Sequence, residues 1–413
     1  MKVLVLGSGV IGVSTAYELI KDGHEVVVVD RQPQAANETS FSNASLIACG
    51  DARAWASPQA PLTMLKALVS NNQAIRMKLQ TDLAFWRWVS KFLGQCTSER
   101  ERANTRRKYA LSVYSQGQLQ RVAEETNIDY HQINRGLLYL HHTQQELDDA
   151  ATHVEVLKDF GHEVEILNRD QIVAMDAGYA DADVIACAVY APTDESGDCH
   201  VFTQKLTQHC IEQGAQFLFD TQIQSIVADN SNTKGIITNR GEYNADAIIV
   251  CLGPYSTHLV KPLGITLEIC PVKGYSVTAP INNEHKPFDI AGVDETGLMA
   301  YARIGDRARF TSVAEFGGYD TSYKPAHIER IITKAKKLFP NAADYSQPSG
   351  WACLRPVTPT GSPYLGQCRY NNLFLNTGHG HLGWTMACGS ARITADLINN
   401  RTPDIDVSGM LMT

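Results

Sequence analysis

Residues 2–30 read KVLVLGSGVIGVSTAYELIKDGHEVVVVD, and the fold follows from how this stretch divides. Lys2 to Leu6 is an apolar run too short for a helix and right for a buried strand. It enters Gly7-Ser8-Gly9-Val10-Ile11-Gly12, a GxGxxG pattern. Val13 to Lys21 then has helical apolar spacing, with Gly23 at the place of a C-cap. Glu25 to Val29 is a second buried strand, ending on Asp30. Gly7 permits the tight turn, Gly9 lets a diphosphate approach the backbone, and Gly12 lets helix and strand pack closely. The helix N-terminus offers unpaired N–H groups to the diphosphate, and Asp30 offers a carboxylate to a ribose. Strand, glycine turn, helix and terminal acid together predict a dinucleotide-binding α/β unit. They do not separate NAD from FAD, although an acid at position 30 disfavours a 2′-phosphate even with Arg31 beside it.

A chain of 413 residues exceeds a usual single domain, so two intertwined domains are expected. The net charge of −8 speaks against nucleic acid as the main partner. Ten cysteines include no CxxC, and they read as buried apolar residues in a reducing compartment, with no metal expected. The apolar N-terminus reads as a strand rather than a signal peptide. No apolar run approaches the roughly 18 residues needed to cross a bilayer.

After Asp30 the chain is polar and small, including Glu38-Thr39-Ser40-Phe41-Ser42-Asn43-Ala44-Ser45. This is either a surface loop or a second wall around the ligand. Residues 58–127 read as helices, and from Arg76 to Lys108 nine Lys or Arg face only three acids. Phe85, Trp86, Trp88, Phe92 and Leu93 lie inside this basic stretch, as on a membrane-touching surface or over a core cluster. Gln144–Phe160 and Val201–Gln213 read as helices. Ala247 to Cys251 reads as a strand of the same sheet as Lys2–Leu6, so the nucleotide domain is discontinuous. The expected division is 1–57, 191–258 and 346–413 against a second α+β domain of 58–190 and 259–345, built on an antiparallel sheet. Near the end, Gly378-His379-Gly380-His381-Leu382-Gly383-Trp384-Thr385 forms a second glycine loop before a helix.

GSGVIG, Asp30, ETSFSNAS, VCLG, LRPVTPTGSPYLG and TGHGHLGWTMACGSA, in this order, resemble the D-amino-acid-oxidase-like flavoproteins, and within them the bacterial D-amino acid dehydrogenases. The resemblance runs nearly end to end, through ETNI (125–128), DESGD (194–198) and KGYS (273–276). It implies FAD as cofactor. It places Gly7 to Gly12, Asp30 and Arg31 on the ADP half. Thr39, Ser40, Asn43, Ala44 and Ser45 would line the diphosphate and flavin, with Ser45 standing where close relatives usually have glycine. Ile223 would lie near the adenine, Gly253 would close the nucleotide site, and Gly380 with Leu382, Gly383, Trp384 and Thr385 would run along the flavin. Arg355 matches the arginine that grips a substrate carboxylate, and its planar fork suits that task. Arg303 is a second candidate; Tyr275 and Tyr301 are candidates to close the pocket, and His379 to stabilise the reduced flavin.

The implied chemistry is oxidative deamination of D-amino acids to 2-oxo acids and ammonia, with hydride passing from Cα to flavin N5 and electrons to a quinone-type acceptor. The implied location is the bacterial cytoplasm, on the cytoplasmic face of the inner membrane. Three other readings stay open: a flavin enzyme for glycine, sarcosine, proline or hydroxyproline; an NAD-linked dehydrogenase; and a non-catalytic flavin-binding subunit.

Overall fold

The computed structural model describes residues 1–69, 74–78 and 80–412. Its strands gather, among the described residues, into a six-stranded and a nine-stranded sheet, with a three-stranded meander and a two-stranded pair beside them. The two valine-rich runs of the N-terminus explain the first. Lys2–Leu6 pairs in parallel with Glu25–Val29 on one side and with Ala247–Val250 on the other. Gln216–Leu218 and Leu373–Thr377 extend the parallel order, and Tyr364–Gln367 closes one edge antiparallel. Both faces are covered, so the strands carry unbroken apolar runs rather than alternation.

On one face lie the helices Val10–Lys21, Cys199–Glu212, Ala387–Ile398 and the long Ser98–Thr126. On the other lies the meander of Ile223–Ala228, Thr233–Thr238 and Gly241–Asn244. Glu18 is buried between three of these helices, where it accepts from Arg392 at 2.6 Å and from Arg121. The helices are thus joined through one carboxylate as well as through apolar contact.

The larger sheet centres on Cys270–Pro280, which is antiparallel to Arg307–Phe316 and to Ser349–Val357. Met299–Ile304, Ala291–Asp294, Leu137–His141, Cys187–Ala191 and Glu165–Asn168 follow in order. Its steps are antiparallel except where Ala291–Asp294 meets Leu137–His141 and Ile75–Met77 meets Arg307–Phe316. The fold class is as expected from sequence: an α/β unit joined to a second unit on a mainly antiparallel sheet.

Three sequence expectations are corrected. Ser349–Val357, assigned above to the nucleotide domain, is a strand of the larger sheet, because its alternating side chains face that sheet's partners. The helix Ser98–Thr126, assigned to the second domain, packs Leu119 and Val122 into the core of the first. The aromatic cluster of the basic stretch is split. Phe85, Trp88 and Phe92 are core residues, with the Trp88 indole donating to the Val357 carbonyl at 2.8 Å, while Leu83, Trp86 and Leu93 are exposed. Most of the cations there are spent within the chain: Arg87 and Lys91 pair with Glu268, Lys78 with Glu315, and Arg102 with Asp159, while Lys108 is buried.

Removing Glu18 leaves two arginines facing each other across a buried space. Glu18→Ala is expected to lower unfolding free energy by about 3 kcal/mol, the low end for breaking a buried ion pair because Arg392 keeps Asp22 and Asp396. Chemical denaturation of the two proteins measures this.

Candidate active site

A cavity of about 840 Å³ opens where the glycine turn, the loop after Asp30, the C-terminal glycine loop and the larger sheet meet. Its nucleotide end is built by backbone geometry. Gly7 has φ +106 and donates to the Val29 carbonyl at 2.9 Å, which turns the chain sharply off the strand. A Cβ on Gly12 would overlap the Gly7 carbonyl, so only glycine lets the helix begin this close to the strand. Gly9 is the N-cap of the helix and brings no side chain to its unpaired N–H groups. Ser40 supplies one partner, accepting from Val10 N at 3.0 Å.

Asp30 sits at the end of the second strand, as its motif demands. Its carboxylate accepts from Ser8 N at 2.6 Å, Ser8 Oγ at 2.8 Å and Gln32 N at 2.8 Å. Burial raises its pKa above the ordinary carboxylate value, and these hydrogen bonds oppose the rise. Arg31 lies 4.1 Å over the Tyr255 ring and pairs with Glu38.

The cavity wall includes Gly7, Gly9, Val10, Ile11, Asp30 and Arg31 from the first unit, and Thr39, Ser40, Asn43, Ala44 and Ser45 from the loop. The polar loop is therefore a wall and not a free surface loop. Ile223, Gly253, Gly380, Leu382, Gly383 and Trp384 line the same space. Ser8, Gly12 and Thr385 do not. Ser8 holds Asp30, Gly12 packs the helix, and Thr385 Oγ1 accepts from Ala48 N at 3.1 Å. Ser45 adopts φ +59, a left-handed conformation costly for serine and free for glycine, and its hydroxyl accepts from the buried Arg309 at 3.1 Å.

At the other end of the cavity stands Arg355. Its Nη1 donates to the Val313 carbonyl at 2.9 Å, and it forms no ion pair among the described residues. Two backbone features admit it. Gly274, on the neighbouring strand, has no side chain, and a Cβ there would strike the guanidinium. Val313 has φ +75, a rare state for a β-branched residue, at a bulge where the register between Lys273 and Tyr275 slips. The bulge turns the carbonyl onto Arg355, a strain of the kind found at functional sites.

Two other candidates take different places. Arg303 does not reach the cavity; it is bound to Asp289 and to the Gly305 carbonyl, because its strand position faces the outer side. Tyr301 is buried in the core, with the Tyr179 hydroxyl 3.0 Å away. Tyr275 lines the cavity, but its hydroxyl is committed to Glu315 at 2.9 Å. His379 also lines it, within hydrogen-bonding distance of Ser390 Oγ at 3.0 Å, and burial pushes its pKa down to about 3. It is therefore neutral near pH 7 and offers a dipole rather than a charge. Asp51, Arg53, Trp55, His381 and Glu295 complete the Arg355 end. Sequence reading passed over them, although His381 sits inside the glycine loop and Asp51 directly follows the polar one. The His381 ring stacks on Trp55 at 4.8 Å.

The family of FAD dependent oxidoreductases matches residues 2–397. The chain belongs to that family. A protein named D-amino acid dehydrogenase 2, from Mesorhizobium japonicum, is 41% identical over 413 residues, covering 100% of this chain and 99% of its own. A D-amino acid dehydrogenase from Agrobacterium fabrum is 42% identical over 414 residues, with 100% and 99% coverage. The crystal structure of glycine oxidase from Geobacillus kaustophilus shares the fold at TM-score 0.78 and 21% identity, covering 100% of this chain and 98% of that one.

The family's cofactor is FAD, and the cavity fits it. Asn376 Oδ1 and Trp384 Nε1 are buried in the wall without a hydrogen-bond partner among the described residues. Such atoms are costly unless a ligand meets them. A Cβ on Gly380 meets nothing within 4 Å, and one on Gly9 meets only Ser40 Oγ at 3.4 Å, so both glycines face open space. Gly9→Val is therefore expected to keep the fold, by circular dichroism and melting, and to purify with little flavin absorbance. A yellow Gly9→Val protein would place the diphosphate elsewhere.

Proposed function

We propose that this oxidoreductase deaminates D-amino acids to 2-oxo acids and ammonia, and that a quinone-type acceptor takes the electrons. The observation that carries the reading is Arg355, a cation in the cavity wall that donates to the Val313 carbonyl and forms no direct ion pair among the described residues, with the Asp51 carboxylate acting on it from farther off. A guanidinium has five N–H donors in a fixed fork, so the remaining ones suit the α-carboxylate of an amino acid. The names of the Mesorhizobium japonicum and Agrobacterium fabrum relatives support a D-amino acid.

In this reading the helix N-terminus at Gly9 and Ile11 would hold the diphosphate, and Asp30 the ribose. The C-terminal glycine loop from Gly380 to Trp384, with Thr39, Asn43 and Ala44, encloses the flavin. Bound FAD supplies an acceptor, at N5, for the hydride of the substrate Cα. The protein's own part is placement. Arg355 fixes the carboxylate, Gly274 and the Val313 bulge fix Arg355, and the closed wall keeps the substrate from turning. The amine must be neutral when hydride leaves, and the imino acid released afterwards hydrolyses in water.

Attachment to the cytoplasmic face of the inner membrane is part of the same proposal. No described helix is long and apolar enough to cross a membrane. Support comes from exposed Leu62, Leu65 and Leu68 on the helix Ala60–Val69, and from Leu83, Trp86 and Leu93 on the helix Leu83–Gln95. Such residues settle at a headgroup boundary. With the cations mostly paired, apolar insertion carries the contact more than charge does.

Two measurements follow. Arg355→Leu is expected to retain FAD and to lose about tenfold to a few hundredfold in kcat/KM for D-amino acids with a dye acceptor, and Arg355→Lys to recover little of it. Unchanged kinetics would assign the carboxylate to another residue. In liposome flotation, wild-type protein is expected to float with bilayer vesicles, and Leu65→Glu with Trp86→Ser to stay behind while remaining yellow. Wild-type protein that never floats, and that turns over with oxygen as readily as with quinone, removes the membrane and acceptor assignments.

A further inference from the structure

The charged groups at the Arg355 end of the cavity can be followed partner by partner. Arg53 is paired with Glu101 at 2.8 Å. The Lys108 ammonium is buried and donates to the Arg53 carbonyl at 2.7 Å, and its charge acts on Asp51. Arg355 is assigned to the substrate carboxylate. One charged group is left over. The Glu295 carboxylate lines the cavity with no direct hydrogen bond or ion pair among the described residues, and the one cation that acts on it, Arg53, is itself paired with Glu101.

Glu295 is not adrift on a loose loop. It follows the strand Ala291–Asp294, and its own N–H donates to the Leu140 carbonyl at 3.1 Å. The rest of the hairpin tip is tied on every side. Gly297 N donates to Asp294 at 2.9 Å, Thr296 Oγ1 to Glu146 at 2.8 Å, and Ser312 Oγ to the Leu298 carbonyl at 2.7 Å. A carboxylate carried on a backbone held this firmly, with no direct partner among the described residues, is placed for a ligand.

Resting on the D-amino acid reading above, we infer that Glu295 is the side-chain recognition residue of this cavity, and that the favoured substrates are D-amino acids ending in an ammonium or a guanidinium. Burial, then the charges of Asp51 and Asp294, push the Glu295 carboxyl up to about 8, with Arg53 opposing them. The protein's own groups thus disfavour the ionised form, and a ligand cation beside it would restore that form. Val293 and Ala300, paired across the hairpin, also line the cavity and give apolar surface for a methylene stem. An acidic side chain would bring another negative charge towards Asp51 and Glu295 and is disfavoured.

The test uses the FAD-loaded enzyme and an artificial dye acceptor. It compares kcat/KM for D-arginine against D-citrulline, and for D-lysine against D-norleucine. Each pair differs mainly in terminal charge. Wild-type ratios of about tenfold or more are expected, because a half-buried carboxylate is left unmet by the neutral analogue. Glu295→Gln should bring both ratios close to one, and Glu295→Lys should shift preference towards D-glutamate. Turnover of the four amino acids with wild-type ratios near one overturns this assignment alone. High ratios that survive Glu295→Gln in a flavin-containing protein overturn it as well. Turnover of none of them beside turnover of D-alanine overturns it alone, and inertness of D-alanine and the other neutral D-amino acids as well overturns it together with the D-amino acid reading.

Discussion

The close approach of Gly12 to the Gly7 carbonyl is the constraint on which the rest depends. Because neither position carries a side chain, the helix Val10–Lys21 starts directly above the end of the central strand. Its unpaired N–H groups then point into the cavity and not into solvent. The same closeness sets the distance from helix to sheet. Cys199–Glu212 and Ala387–Ile398 can then pack beside it on one face. A larger residue at position 12 would move the helix and, with it, the floor of the cavity.

The second unit is arranged around a different need, which is to keep a guanidinium in a protein wall without a direct ion pair among the described residues. Arg355 is on the strand Ser349–Val357, next to Cys270–Pro280. Flat pairing would leave no room for its head group. A glycine at 274 and a bulge at Val313 open that room and supply a carbonyl to it. The cost is a β-branched residue in a left-handed conformation, borne by its own ten-residue strand Arg307–Phe316 and by the neighbouring Cys270–Pro280.

The nucleotide half was legible because its information is local. Two valine-rich runs, three glycines and an acid lie within thirty residues, and each has one physical task. The C-terminal glycine loop was legible for the same reason. Arg303 and Tyr301 were misplaced because both lie on one strand, Met299–Ile304, and which face a strand turns to the cavity is set by its register and not by its composition. The aromatic stretch was left open between core and surface for a like reason. Phe85, Trp88 and Phe92 follow helical spacing into the core, and Leu83, Trp86 and Leu93 fall on the other side.

The sequence by itself determined the dinucleotide unit, since strand, glycine turn, helix and acid rest on neighbours a few residues apart. Tertiary structure alone decided the company that Arg355 keeps. Val313, Gly274, Asp51 and Glu295 come from separate stretches of chain, and they meet only when the sheet forms and the loops close over it. Whether a buried charge is paired or waits for a ligand depends on groups brought together through space. No reading of one segment can count them.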